Sequence, residues 1–324
     1  MTKRKIFAAV LCCIFFTALK AQIFDSTYAE KLGYPKGAKV VILHVDDAGM
    51  SYDSNEGAAQ AITKGVATSC SVMMPCPWVS GFVHFLQAHP NVDAGLHLTL
   101  TSEWKDYRWA PLSGKPLVPG LVDSEGAMWH DVADVVMHSN ADEVYTEIKA
   151  QLERARSMGF QPTHLDSHMG TLFASFAFTQ QYMRLGIENH IPVMMPGGKA
   201  TMIRTQMHSS DAVIQQMQAA GKMLWSAGLP VLDDLHNLSY DWNMPDSVLH
   251  NDKKLQRFRT KLYTESLKQL QPGITMIIMH CTDTTEVFPK ISDSGPLRKG
   301  DLLTMLDPAF KQALQKEKII LTTW

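Results

Sequence analysis

Short apolar runs alternate along the chain with longer segments in which apolar residues recur at helical spacing. In the clearest helical segment, 142–158, Val144, Ile148 and Leu152 fall on one face, and Gly159 follows as a stop. The apolar runs predict strands over 39–45, 66–74, 92–100, 163–167, 191–195, 229–232, 274–280 and 318–323. This alternation predicts parallel strands joined by crossover helices.

The number of strands favours a barrel. Eight candidates within about 290 residues are typical of a closed or nearly closed (β/α) barrel rather than an open doubly wound sheet. The sequence contains neither a G-x-G-x-x-G motif nor a Walker loop, which a nucleotide-binding sheet would require. We therefore predict an α/β fold, an irregular (β/α) barrel that forms a single domain over 22–324. The long segment 101–128, rich in Trp, Tyr, Pro and Gly, is predicted to be a functional loop.

Composition narrows the class of partner. The chain has 324 residues, of which 45% are hydrophobic and 19% charged, so one large core is expected. The formal net charge is -2, and no basic run is present. Nucleic acid and anionic membranes are therefore not expected as partners, whereas a small neutral molecule is. The composition gives no indication of the oligomeric state.

The N-terminus resembles a secretory signal peptide over 1–21. Met-Thr-Lys-Arg-Lys supplies a positive start, 6–19 is apolar, and the small residue Ala21 follows. The apolar run is shorter than the ~20 residues of a transmembrane helix. We expect cleavage near Ala21 and an exported protein, periplasmic or secreted, without stable membrane insertion; a retained anchor is the alternative. The remaining cysteines, Cys70, Cys76 and Cys281, are predicted to be buried thiols.

Polar side chains gather where the predicted strands end, which is where parallel barrels place their chemistry. The candidates are Asp46 and Asp47 after the first strand, His97 on the third, His164, Asp166 and His168 on the fourth, and His280 at the end of the seventh. A carboxylate and two imidazoles from different strands can hold a divalent metal ion and leave positions open for water and substrate. We therefore predict a metal site.

The adjacent aspartates are expected to differ in role. Neighbouring strand residues point to opposite sides, so one of Asp46 and Asp47 would bind the ion and the other would take a proton from water. The residues alone leave open which aspartate does which. Each motif also has a structural interpretation: an Asp pair is often a helix cap or a turn, and an isolated strand histidine such as His97 or His280 is often a core residue.

The segment TSEWKDYRW suggests a sugar-binding surface. Trp104, Tyr107 and Trp109 could provide aromatic planes against which sugar rings pack, beside Arg108. The alternative is that these side chains plug the loop. The candidate substrate contacts are Trp104, Arg108, Trp109 and Asp166.

Three sequence blocks resemble the YdjC-like (ChbG/HpnK) carbohydrate deacetylase family, a relative of the NodB-type polysaccharide deacetylases. The blocks are HVDDAGMSYDSNEGAAQAITKGVATSCSVMMPCPW, VDAGLHLTL and PTHLDSHMG, in the family's order and spacing. The late segments GITMIIMHCTD and KIILTTW suit its C-terminal strands. The resemblance implies an irregular (β/α) barrel.

The resemblance also implies roles for individual residues. Asp47, His97 and His168 would hold one divalent ion, for which Zn is favoured and Mg, Mn and Co are alternatives. Asp46 would be the general base, and His280 would protonate the leaving amine or steady the tetrahedral intermediate. The implied reaction is removal of acetyl groups from N-acetylated, and also O-acetylated, sugars or oligosaccharides by metal-activated water.

The chain departs from the family pattern at several positions. Ala48 stands where Phe commonly follows the aspartates, Met169 replaces a further histidine, and the residues before His280 are wholly apolar. These changes leave the three predicted ligands intact but affect the substrate and the role of His280. The alternatives to deacetylation are another metal hydrolase, such as a phosphoesterase or amidase, and a non-catalytic exported saccharide-binding barrel.

Overall fold

A computed structural model describes residues 26–324, so the predicted signal peptide lies outside the described residues. The strands are β1 (Lys39–Ala48), β2 (Ser69–Val72), β3 (Ala94–Leu98), β4 (Leu165–Ser167), β5 (Asp234–His236), β6 (Gly273–Met279) and β7 (Ile320–Leu321). Their order is β4-β3-β2-β1-β6-β5, and β7 pairs with the start of β1. All of these pairings are parallel, as the sequence predicts.

The sheet curls into an irregular barrel. The edge strands of the sheet are β4 and β5. Single parallel bridges join Leu165 of β4 to Val193 and Pro196 to Leu232, so the curl continues from β4 towards the segment before β5. The predicted α/β class and irregular single-domain barrel are therefore confirmed.

Two of the eight predicted strands are wrong as regular strands. Segments 191–195 and 229–232 form only the isolated bridges, and β5 begins two residues after the second of them. The physical reason lies in Pro192 and Pro230 within these segments and in Pro196 directly after the first, since proline has no N–H to donate to a strand ladder.

Helices cover the sheet: α1 (Tyr28–Lys31), α2 (Tyr52–Thr63), α3 (Val79–Ala88), α4 (Val132–His138), α5 (Ala141–Ser157), α6 (Phe176–Asn189), α7 (Thr201–Gln206), α8 (Asp211–Ser226), α9 (Asp246–Leu249), α10 (Asp252–Gln269), α11 (Gly295–Met305) and α12 (Pro308–Lys316). Helix α5 confirms the prediction over 142–158. It begins with a capping box in which Asn140 and Glu143 bind each other's backbone N–H groups. Within 26–324, none of the helices combines the length and the apolar character needed to cross a bilayer.

The central strands are buried on both faces, as expected for parallel strands covered by helices. Every residue of β6 is buried, as are those of β1 after Lys39. Cys70, Cys76 and Cys281 are free and buried, which confirms the prediction of buried thiols.

The N-terminal end of the strands is closed by α1. Asp233, just before β5, accepts hydrogen bonds from the backbone N–H groups of Tyr28 and Ala29 at 2.9 and 3.0 Å and from that of Ile274 at 2.9 Å. One carboxylate thus joins the first described helix to the start of β6, at the end of the barrel opposite the carboxyl ends of the strands.

Replacing Asp233 with Ala should destabilise the fold by about 3 kcal/mol or more, because each of three buried N–H groups would lose its acceptor at a cost of ~1–3 kcal/mol. Urea denaturation measures the change in the free energy of unfolding. The matched change at an exposed site, Asp293→Ala, should alter it by less than about 0.5 kcal/mol. Equal effects of the two substitutions would contradict the role given to Asp233.

His236 should make stability depend on pH. Its Nε2 lies 2.9 Å from Ser266 Oγ, and burial lowers the pKa of His236 to about 4. Between pH 6.5 and 4 the unfolded chain takes up a proton that the folded one excludes, so stability falls as the pH falls through this window. Between pH 7 and 4.5 the wild type should lose about 2 kcal/mol more unfolding free energy than His236→Gln. Parallel losses in both proteins would refute this assignment.

Candidate metal centre

A β-bulge at the end of β1 brings both aspartates to the same side. The register with β2 pairs Val45 with Cys70 and Ala48 with Val72, so Asp46 and Asp47 oppose a single residue. Asp47 has a φ of 65°, in the left-handed region. The expectation that neighbouring strand residues would point to opposite sides was wrong here, because the bulge interrupts the alternation.

The three predicted ligands converge. Asp47 Oδ1 lies 3.3 Å from His97 Nε2 and 3.4 Å from His168 Nδ1. One candidate donor atom from each residue lies within 4.8 Å of the other two. The residues come from β1, from β3 and from the 3₁₀ turn His168–Phe173 that follows β4, all at the carboxyl ends of parallel strands.

The surroundings of Asp47 fit a cation. Its Oδ1 is buried and has no hydrogen-bond partner among residues 26–324, whereas its Oδ2 accepts a hydrogen bond of 2.6 Å from Arg298 Nη1. Burial alone would raise the pKa of Asp47, but Arg298 holds it well below its usual value, so the carboxyl group stays ionised. A buried anionic oxygen that faces two imidazole nitrogens is the environment that a bound divalent ion satisfies.

Two further carboxylates orient the imidazoles. Asp166 Oδ1 accepts a hydrogen bond from His97 Nδ1 at 2.6 Å, which leaves the lone pair of Nε2 directed at Asp47. Glu103 lies 3.1 Å from His168 Nε2 on the side away from Nδ1. Carboxylates that bind the outer nitrogen of a ligating histidine fix its ring orientation and increase its basicity.

These carboxylates also make the imidazoles basic. Burial alone would lower the pKa of His97, but the charges of Asp46 and Asp166 raise it well above its usual value. Burial opposes protonation of His168 as well, yet Glu103 and Asp47 raise its pKa to about 9. Positive charge is thus favoured at the position where the three donors meet, whether it comes from protons or from a cation.

Asp46 and His280 lie beside the three predicted ligands. Asp46 Oδ2 is 3.7 Å from His97 Nε2 and 3.9 Å from His280 Nε2, while its Oδ1 lies 3.2 Å from His44 Nε2. The backbone N–H of His280 donates to Asp301 at 2.9 Å, which fixes the chain where β6 ends. Burial lowers the pKa of His280.

A second cluster lies deeper in the barrel. Donor atoms of His44, His164 and Asp166 also fall within 4.8 Å of one another. His44 Nε2 lies 2.8 Å from Asp166 Oδ2, and these three residues are not among those that line the cavity described below. The cluster therefore holds Asp166 in place from the side away from the cavity. Asp166, a predicted substrate contact, lies within this supporting layer.

The predicted aromatic surface divides into two parts. Trp104 lines the cavity, whereas Trp109 is buried and its Nε1 donates to Thr101 O at 2.9 Å. Arg108 binds Asp123 at 2.6 Å, within loop 101–128. Trp109 and Arg108 thus hold the loop together, as the plug interpretation expects, and only Trp104 of this group faces the centre.

Sequence reasoning missed three residues of the site. Arg298, on α11, and Glu103 had no local pattern that would connect them to the predicted ligands. His44 did carry a signal: it lies two residues before Asp46 on the same strand, and alternate strand residues share a face.

A cavity of about 1350 Å³ opens over the centre. Its polar end contains Asp46, Asp47, His97, Glu103, Trp104, His168, Tyr240, His280 and Arg298. The rest of the cavity is lined largely by side chains from α6, α8 and the segments around them. The polar groups therefore lie where a molecule entering the cavity would meet them.

Comparisons with known proteins identify the family of the chain. The chain is 28% identical to a carbohydrate deacetylase of Thermus thermophilus over 88% of this chain and 92% of the relative. It is 28% identical to a carbohydrate deacetylase of Thermoanaerobacter pseudethanolicus over 88% of this chain and 98% of the relative. A crystal structure from Enterococcus faecalis V583, of a protein named for cellobiose-phosphate cleavage, shares the fold with a TM-score of 0.68 at 20% identity, over 88% of this chain and 97% of the other. Residues 40–316 match the YdjC-like protein family, and the chain belongs to that family.

Proposed function

We propose that this protein is a metal-dependent carbohydrate deacetylase that removes acetyl groups from N-acetylated, or O-acetylated, sugars or oligosaccharides. The observation that carries the proposal is the convergence of Asp47, His97 and His168, with Asp46 beside them, at one end of a large cavity. The names of the relatives from Thermus and Thermoanaerobacter support the same reaction.

Asp47 Oδ1, His97 Nε2 and His168 Nδ1 would hold the divalent ion. An ion bound there supplies Lewis acidity, which acidifies water and stabilises negative charge on a carbonyl oxygen. The donor set of one carboxylate and two imidazoles favours Zn, with Mg, Mn and Co as alternatives.

The contacts of the two aspartates support different roles. Asp47 is tied to Arg298 through Oδ2, so only Oδ1 is directed towards the imidazoles. Asp46 has no arginine contact in the structure and lines the cavity; its Oδ1 lies 3.2 Å from His44 Nε2 and its Oδ2 3.9 Å from His280 Nε2. Asp46 is therefore the general base, which takes a proton from the attacking water.

His280 would complete the proton transfers. It lines the same cavity, with Nε2 within 3.9 Å of Asp46, and Tyr240 packs against its ring at a centroid distance of 4.9 Å. When the bond between the acetyl carbon and the sugar nitrogen breaks, the amine needs a proton. The proton that Asp46 takes from the water can pass to His280 and from there to the amine, and the lowered pKa of His280 favours its release. Acetate and the free amine are the products.

We further propose that the protein is exported. The motivation is the N-terminal sequence itself, a positive start followed by the apolar segment 6–19.

The function is tested by incubating the zinc-loaded protein with N-acetylated and O-acetylated saccharides and measuring the release of acetate. We expect release from at least one saccharide and its loss when a chelator removes the metal. A protein that binds metal but releases acetate from none of the saccharides would overturn the proposal. Parallel loading with Mg, Mn and Co ranks the metals.

Substitution separates the two aspartates. Asp46→Asn should lower kcat by a factor of about 10²–10⁴ while the protein keeps its metal, since a general base contributes a factor of that size. Asp47→Asn should instead weaken metal binding, measured as the stoichiometry of bound zinc. The reverse pattern would show that the two roles are exchanged.

Asp166→Asn should lower metal affinity about 10- to 100-fold, because His97 would lose the carboxylate that orients it. Activity should recover in part at saturating metal. Asp93→Asn is the matched control: Asp93 is also buried, but it contacts Thr163 and Trp324 before the start of β3. A metal dissociation constant that shifts equally in both variants would remove the specific role of Asp166.

A further inference from the structure

One side of the cavity is apolar and open to solvent. We call this surface the apolar wall; it consists of Phe173, Phe176, Met183, Ile187, Met207, Val213, Met217 and Met223. Phe176 is 71% exposed, Met223 60% and Met207 55%. Large apolar side chains that are exposed together in a concavity indicate a binding surface, unlike single ones scattered over a protein.

The apolar wall is built from two helix faces. Their inner residues, Met183, Ile187 and Met217, pack against the core, whereas Phe176, Val213 and Met223 are exposed. On α6, Phe176, Met183 and Ile187 recur at helical spacing, and on α8 Val213, Met217, Ala220 and Met223 follow one another at intervals of three or four residues. Both stripes are directed into the cavity.

The wall is continuous with the candidate metal centre. Met169, which follows His168 directly, is 48% exposed and lines the same cavity. Met194 and Met195 line it too, between the β4 side and the helices. A molecule attached to the reacting group can therefore extend from the centre onto the apolar wall without leaving the cavity.

The chemistry of the wall suits an aliphatic chain better than further sugar rings. Its charged neighbours, Arg184 and Glu188, pair with each other at 2.8 Å. Methionine side chains are flexible and polarizable and adapt to irregular apolar shapes. Sugar hydroxyl groups placed against them would lose hydrogen bonds to water without replacement.

The size of the cavity also exceeds what one acetylated sugar requires. Its volume of about 1350 Å³ is larger than the ~300–1000 Å³ of ordinary small-molecule pockets. The described chain begins at the opposite end of the strands, where Asp233 holds α1, and the rise of β6 places that end roughly 20 Å from the centre.

We propose that the apolar wall binds an aliphatic chain carried by the substrate, so that the preferred substrates are amphiphilic acetylated glycosides. This inference rests on the proposed deacetylase function and names the substrate class of the same site. The acetylated sugar lies at the polar end of the cavity, and its alkyl group lies along α6 and α8.

The test uses alkyl glycosides of N-acetylglucosamine with methyl, butyl, hexyl and octyl groups, below their micelle concentrations. With the zinc-loaded protein, kcat/KM should rise about two- to fourfold for each added methylene, as expected for burial of aliphatic carbon. The double substitution Phe176→Gln and Met223→Gln should flatten this dependence, so that kcat/KM for the octyl glycoside falls towards that for the methyl glycoside.

Met137→Gln is the matched control, because Met137 is 73% exposed on α4 and is not among the residues lining the cavity. It should retain the full dependence on chain length. A wild-type protein indifferent to chain length overturns the proposal. The proposal is also overturned if the protein is a dimer in solution and the double substitution Phe176→Gln and Met223→Gln dissociates it, because a second copy of the chain would then occupy the wall.

Calorimetry separates this inference from the proposed function. If no glycoside releases acetate, deacetylation of these sugars fails as the function. The wall is upheld as an aliphatic site if the affinity for the glycosides still rises with chain length in the wild type and in Met137→Gln but no longer rises in the double variant. Binding that is absent or independent of chain length overturns the inference as well.

Discussion

Negative charge buried at the carboxyl ends of the strands is the constraint on which the rest of the site depends. Asp46, Asp47 and Asp166 are almost fully buried, and the half-buried Glu103 adjoins them. Ionised carboxylates in such a place are stable only where positive charge or hydrogen-bond donors compensate them. Arg298 compensates Asp47 on one side, and the imidazoles compensate the others. A divalent ion would complete the balance at Asp47 Oδ1.

The barrel supplies the geometry that makes this balance possible. Parallel strands end at the same edge, so side chains far apart in sequence meet there. The bulge in β1 then adds a second carboxylate to the same side. Its backbone cost falls on Asp47, which adopts a positive φ. Strain of this kind is found at functional sites, where surrounding contacts hold it in place.

The cavity joins two chemical environments. One end holds charged groups with altered basicity, which suit proton transfer and cation binding. The other end is the apolar wall, where aliphatic carbon can be buried. The charged residues beside it, Arg184 and Glu188, are paired with each other. A substrate with a polar head and an apolar tail matches both ends at once. In the proposed function, the choice of substrate would depend on α6 and α8, and the chemistry on the strand ends.

The sequence by itself determined the class of fold and the polar residues that gather at the strand ends, because apolar periodicity and the positions of polar residues are local properties of the chain. The family resemblance of its motifs then distinguished Asp47 from Asp46 as the expected ligand. The sequence located Asp47, His97 and His168 before their geometry was known. It failed at segments 191–195 and 229–232, where prolines outweighed the apolar pattern.

Only the tertiary structure decided how the site is completed. That both aspartates face one side depends on the register between β1 and β2, and the contacts of Arg298 and Glu103 depend on segments distant in sequence. The apolar wall likewise arises where α6 and α8 border a cavity as well as the core. Hydrophobic spacing predicts that a helix has an apolar face, but only the packing of the whole chain determines what that face meets.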